Sequence, residues 1–185
     1  MLTTKKLFII AGEQSGDTHA ANLLKELKAY YDIDAYGTGG SSLKALGQEQ
    51  YYDINDLSVI GLDGVLKKLP FFFKVRDVLL ERIGEIKPDA VILVDYPGFN
   101  LRFAEKLKKL GIPVIFFVAP QVWAWNYKRV NKIRECVDLL LCILPFEEDI
   151  FRKEGINAHF IGNPITDHLK CTHESKNSYF ASLGI

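Results

Sequence analysis

No apolar run in the 185-residue sequence approaches the roughly 18 residues needed to cross a bilayer. The run near the N-terminus, Leu7 to Ala11, is too short for a secretory h-region, so a cytosolic protein is expected. The three cysteines, Cys136, Cys142 and Cys171, fit no CxxC or zinc spacing, and their odd number suits reduced thiols. His19, His159, His168 and His173 also lack metal-ligand spacing, so no metal site is expected. Net charge is absent too: 23 basic residues balance 23 acidic ones, and nothing global argues for nucleic acid. Any electrostatic targeting has to be local.

What is present is a rhythm of buried strands and helices. β-rich runs recur at 6–11, 32–38, 89–95, 112–118, 137–144 and 158–162. They lack polar alternation and read as strands covered on both faces. Segments with helical spacing lie between them at 17–30, 72–87, 99–110, 127–136 and 146–154. The alternation predicts an α/β fold, a Rossmann-like doubly wound parallel sheet with right-handed crossovers. Asp17 can cap the first helix, Pro88 blocks continuation of the second segment, and Gly111 and Gly155 stand where helix C-termini favour a left-handed residue. Residues 51–74 interrupt the alternation and read as an insertion of short helices.

In such a sheet the ligand crevice lies beyond the carboxyl ends of the strands. "GEQSGD", "DYPGFN", "APQVWAW", "PFE" and "GNP" each follow a predicted strand, so all fall on one rim. The first loop has Gly12 and Gly16 but lacks the third glycine of G-x-G-x-x-G and the P-loop lysine. It carries Glu13 instead, and Asp95 belongs to a neighbouring strand end. Two carboxylates repel phosphate but accept hydrogen bonds from hydroxyls, and one can serve as general base, which suggests a sugar or polyol. Asp95 has another reading, as a helix N-cap or turn former ahead of "PGFN", and Glu13 as a solvated loop acid.

Trp123 and Trp125 precede a basic helix with Lys128, Arg129, Lys132 and Arg134. The rings can stack on a sugar or plug the sheet end, while Arg129 can meet a phosphate. "KKLPFFFKVR" combines Lys67, Lys68, Lys74 and Arg76 with Leu69, Phe71, Phe72 and Phe73. An apolar patch rimmed by cations suits a lipid surface with anionic heads; a core-packed helix with a basic edge is the other reading.

The stretches "AGEQSGDTHAANLLKELK", "LSVIGLDGVLKKLP", "KPDAVILVDYPGFNLRFAEKLKKLGIPVIFFVAPQVWAWNYKRVNKI", "DLLLCILPFEEDIF" and "FIGNPITD" resemble, in order, the N-terminal half of bacterial lipid-A-disaccharide synthases. The resemblance implies a GT-B hexosyltransferase of two Rossmann-like domains. It would join UDP-2,3-diacylglucosamine to 2,3-diacylglucosamine 1-phosphate with inversion, as a peripheral protein on the inner face of the cytoplasmic membrane. By position Asp95 matches the proposed general base and Glu13 the second acid of the acceptor side. The other matching motif residues, Gly12, Ser15, Gly16, Asp17, Asn100, Trp123, Trp125, Arg129, Glu147 and Asn163, become candidate substrate contacts. The patch of Lys67, Lys68, Leu69, Phe71, Phe72, Phe73, Lys74 and Arg76 becomes a candidate acyl or membrane contact. No cofactor is expected.

Gly98, Ala119, Gln121 and Asn163 depart from the family's usual "DAPDFN", "SPSVWAW" and "GHP". Residues 1–168 read as the acceptor-side domain, with a helical insertion near 55–87, and 169–185 as a linker toward a C-terminal UDP-binding domain absent from the chain. The expectation is a truncated or split half that needs that domain or a companion chain for activity.

Overall fold

In a computed structural model, residues 3–57, 62–164 and 166 are described, those at 62–69 by their backbone alone. Seven parallel strands form one sheet in the order β3-β2-β1-β4-β5-β6-β7. They are β1 (Thr4–Ala11), β2 (Asp32–Gly39), β3 (Glu49–Asp53), β4 (Ala90–Val94), β5 (Val114–Phe117), β6 (Leu139–Cys142) and β7 (Ala158–Phe160). Helices α1 (Gln14–Leu27), α2 (Ser41–Ala45), α3 (Ile54–Leu57), α4 (Leu62–Ile86), α5 (Pro97–Lys109), α6 (Arg129–Cys136) and α7 (Pro145–Lys153) connect them.

The apolar strand runs divide their side chains between two buried layers. Phe8 and Ile10 of β1 join Val91 and Leu93 of β4 beneath Val75, Leu79 and Ile83 of α4 and Leu107 of α5. Leu7, Ile9 and Ala11 point the other way, with Ile92 and Val94, against Ala20, Ala21 and Leu24 of α1. Each central strand is therefore covered on both faces, which is why its sequence shows no polar alternation. The second crossover, from the outer strands β2 and β3 back to β4, places β1 beside β4 and opens the crevice between their ends.

Three local expectations change. Helix α1 begins at Gln14 with Glu13 as its N-cap residue, so Asp17 lies inside the helix rather than at its start. Its carboxylate instead accepts hydrogen bonds from the backbone N–H groups of Gly40 (2.7 Å), Ser42 (2.9 Å) and Leu43 (3.2 Å), capping α2 across the sheet end. The interrupted region holds the end of β3, the four-residue α3 and the first half of α4, a helix of 25 residues that merges with the segment expected at 72–87 and carries Pro70 inside it. Proline removes one hydrogen bond, but Val75, Leu79 and Ile83, one turn apart and fully buried, hold the helix on the sheet beyond it. The edge strand β3, "EQYYD", escaped the reading of the sequence because an edge needs no buried apolar run. The tail at 169–185 lies outside the described residues.

Candidate active site

Where β1 and β4 end side by side, the chain turns sharply. Asp95 and Tyr96 both adopt left-handed backbone, with φ of 46° and 48°, a conformation that costs a non-glycine residue free energy unless its surroundings enforce it. Asn100, fully buried in the first turns of α5, enforces it: its Nδ2 donates to the carbonyls of Val94 (3.2 Å) and Asp95 (2.7 Å). The Asp95 N–H donates to the Phe117 carbonyl at 2.9 Å, tying the turn to β5. Asn100 thus shapes the loop that carries the acid.

Burial pushes the Asp95 carboxyl above the ordinary aspartate range, and the nearby negative charge of Glu13 pushes it further. The Tyr96 N–H and the charge of His19 pull the other way. Glu13 itself is exposed on the rim, its Oε1 accepting a 2.6 Å hydrogen bond from Ser15 Oγ. Gly12 is buried beneath the Tyr96 ring; a Cβ there would sit 2.9 Å from Tyr96 Cδ1, so only glycine lets the ring close over this loop. Gly16 packs under the same turn against Val94. Glu13, Ser15, Asp95 and Tyr96 therefore form one acidic corner. It offers acceptors to hydroxyl groups, with one carboxyl adjusted toward taking up a proton.

A second cluster stands at the ends of β5 and β6. Trp123 Nε1–H donates to Glu147 Oε1 at 3.2 Å, and its ring packs edge-on against Phe146 with centroids 5.0 Å apart. Glu147 is buried; its Oε2 accepts from the Leu144 N–H at 3.2 Å, and burial raises its pKa despite these bonds. The Arg129 guanidinium lies 4.7 Å from the centre of the exposed Trp125 ring. Trp123 is thus held by the framework, whereas Trp125 and Arg129 present a flat cationic face. Asn163 follows β7 at the sheet edge, three strand spacings or about 14 Å from β4. Its carbonyl accepts from Thr166. Asp17, as above, is sealed beneath Gly40.

Beside the acidic corner, α4 and α5 leave a groove of about 570 Å³. Phe72, Phe73 and Arg76 of α4 face Tyr96, Phe99 and Phe103 across it. A chain of aromatic contacts floors this side of the molecule, from Tyr52 through Phe71 and Phe72 to Phe99 and Phe103, with centroids between 5.7 and 6.1 Å apart. Lys74 is exposed and lies outside the groove lining. The side chains of Lys67, Lys68 and Leu69 lie outside the described residues. Tyr96, Phe99, Arg102, Phe103 and Lys106 were not singled out from the sequence. The periodic signal for them is there, with 99 and 103 one turn apart and 98, 102 and 106 in the next row.

Among the described residues no cluster of three or more histidine, cysteine or acidic side chains could hold a metal ion, and no helix is long and apolar enough to cross a membrane.

The family model described as LpxB, lipid-A-disaccharide synthetase, matches residues 7–185. The chain belongs to the lipid-A-disaccharide synthase family. Among its relatives, the lipid-A-disaccharide synthase of Myxococcus xanthus (strain DK1622) is 45% identical across 91% of this chain and 44% of its own. Lipid-A-disaccharide synthase 1 of Legionella pneumophila (strain Philadelphia 1) is 40% identical across 100% of this chain and 48% of its own. The chain thus spans about half the length of the curated relatives it matches. Among solved structures, a UDP-N-acetylglucosamine 2-epimerase superposes with a TM-score of 0.66 at 18% identity, covering 94% of this chain and 53% of that one. Phytolacca americana UGT2, complexed with UDP-2fluoro-glucose and pterostilbene, gives 0.56 at 8%, covering 85% and 54%. At such identities the likeness is one of fold: the family member is a Rossmann-like half of the GT-B architecture.

Proposed function

We propose that this chain is the acceptor-side half of a hexosyltransferase that forms the lipid A disaccharide and UDP from UDP-2,3-diacylglucosamine and 2,3-diacylglucosamine 1-phosphate. One observation carries the reading: a carboxyl with a raised pKa, Asp95, stands beside Glu13 at the crevice and next to an apolar groove. The Asp95 carboxylate takes the proton from the acceptor 6-hydroxyl as that oxygen attacks the anomeric carbon. The bond to UDP breaks on the opposite face, which inverts the centre, and UDP leaves as the anion. Glu13, oriented by Ser15, accepts a hydrogen bond from the acceptor sugar and keeps Asp95 basic.

The remaining candidates take supporting places. Trp125 and Arg129 offer a stacking face and a cation toward the crevice, and Trp123 with Glu147 fixes the loop that bears them. The donor nucleotide belongs to the other half of the cleft, supplied by a C-terminal domain or a companion chain. The exposed Phe73 with Lys74 and Arg76 suits an anionic membrane on the cytoplasmic side, from which acylated substrates are drawn.

The test is disaccharide formation by this chain alone and by a chimaera fused to the C-terminal half of a full-length relative. The chimaera should turn over and the chain alone should not. Robust turnover by the chain alone contradicts the half-enzyme reading. A folded chimaera that binds UDP yet forms no disaccharide, with vesicle binding unchanged in Asp95→Asn, favours a non-catalytic lipid- or membrane-binding module instead.

A further inference from the structure

The acidic corner is rich in acceptors and short of donors. As carboxylates Asp95 and Glu13 only accept. Ser15 has committed its hydroxyl proton to Glu13 at 2.6 Å, and Asn100 commits its amide nitrogen to the Val94 and Asp95 carbonyls. That leaves one donor among the corner's side chains, the Tyr96 hydroxyl, which has no hydrogen-bond partner among the described residues. Burial and the charge of Glu13 both push the Tyr96 pKa above the ordinary phenol range, so the hydroxyl keeps its proton through neutral pH.

The ring that carries this donor is fixed in place. Tyr96 is the N-cap of α5, with left-handed backbone at φ 48° and ψ 53°. Gly12 lies beneath its ring, where a Cβ would stand 2.9 Å from Cδ1, and Phe99 packs beside it with centroids 6.4 Å apart. A donor held in this way selects its acceptor by position. Tyr96 also lines the apolar groove with Phe72, Phe99 and Phe103, so it stands at the boundary between polar corner and apolar floor. The surroundings decide what it recognises. Two neighbouring carboxyl groups disfavour a phosphate oxygen, and ligand hydroxyls are served by the carboxylates that accept their protons. The acceptor left on an amphiphile lying across such a boundary is the carbonyl that joins its chain to its head. We infer that Tyr96 is a specificity-determining residue whose hydroxyl donates to the ester or amide carbonyl of an acylated sugar. That the ligand is an acylated sugar rests on the function proposed above; the corner's dependence on Tyr96 for a side-chain donor does not.

The probes are two neutral monosaccharides, 3-O-dodecanoylglucose and 3-O-dodecylglucose, which match in chain length and differ in the carbonyl alone. Each is titrated calorimetrically into the full chain below its critical micelle concentration. The parent should bind the ester about fivefold more tightly than the ether. Tyr96→Phe should bind the two alike, the ester weakened by about fivefold and the ether unchanged. Phenylalanine keeps the ring over Gly12 and against Phe99, so the variant should retain the parental circular dichroism spectrum and urea midpoint. An ester preference that survives in Tyr96→Phe, an equal loss for ester and ether, or a parent that binds the two alike or binds neither would overturn the proposal. Turnover of the chimaera is read separately. A surviving ester preference in Tyr96→Phe beside a chimaera that turns over refutes the role of the tyrosine alone. A preference abolished in Tyr96→Phe beside a folded chimaera that forms no disaccharide refutes the transferase reading alone.

Discussion

Asp95 combines a left-handed backbone with a carboxyl held away from water, and both features have energetic consequences. Since the folded pKa lies above the unfolded one, the native state binds the proton more tightly. Its contribution is fully present below the unfolded value of about 3.9 and is lost as pH rises through the folded value. Asp95→Asn should therefore be more stable than the parent at neutral pH, with the advantage narrowing as pH is lowered toward the unfolded value. Urea titrations at several pH values check this, and an advantage independent of pH would contradict it. Asn100→Ala should behave oppositely. It leaves one buried and one part-buried carbonyl without their shared donor, and a loss of about 2 kcal/mol is expected in the same titrations. The acid was legible in the sequence as a polar residue at a strand end. Its raised pKa was not, because that depends on burial in the folded chain and on the charge of Glu13, brought beside it from another strand end.

Among the elements, legibility follows burial. Strands β1, β4, β5 and β6 announce themselves because both faces are apolar, whereas β3 is an edge strand whose pattern is set by one neighbour. Helix α2 has five residues and no side-chain cap of its own; its N-terminus is satisfied by Asp17, 23 residues away from Gly40, a partnership no local spacing signals. The cap makes a prediction. Asp17→Ala should cost about 3 kcal/mol, because three backbone N–H groups lose a charged acceptor and two of those bonds are buried. Thermal or urea unfolding reads the loss, and a change within about 0.5 kcal/mol would show the cap to be idle. The charges of α5 illustrate the other limit. On the sequence Arg102 and Lys106 look like any solvated helix face, and only the packing of α4 alongside turns them into the rim of a groove.

At the scale of the molecule, one sheet gathers five strand-end loops on a single rim and lets the crossover set β1 beside β4. That placement follows from the alternation of elements, so the adjacency of β1 and β4 is legible in the sequence itself. Which of the rim residues face the crevice is not. Asp17 and Asn100 turned inward to hold backbone, while Tyr96 turned outward between the acidic corner and the groove. The central claim, that Asp95 is the base on the acceptor side, is tested most directly in the chimaera with the C-terminal half of a relative. There kcat for disaccharide formation should fall by about 100-fold or more in Asp95→Asn while the circular dichroism spectrum and UDP binding stay at the parental values. An Asp95→Asn chimaera turning over at the parental rate would contradict the account.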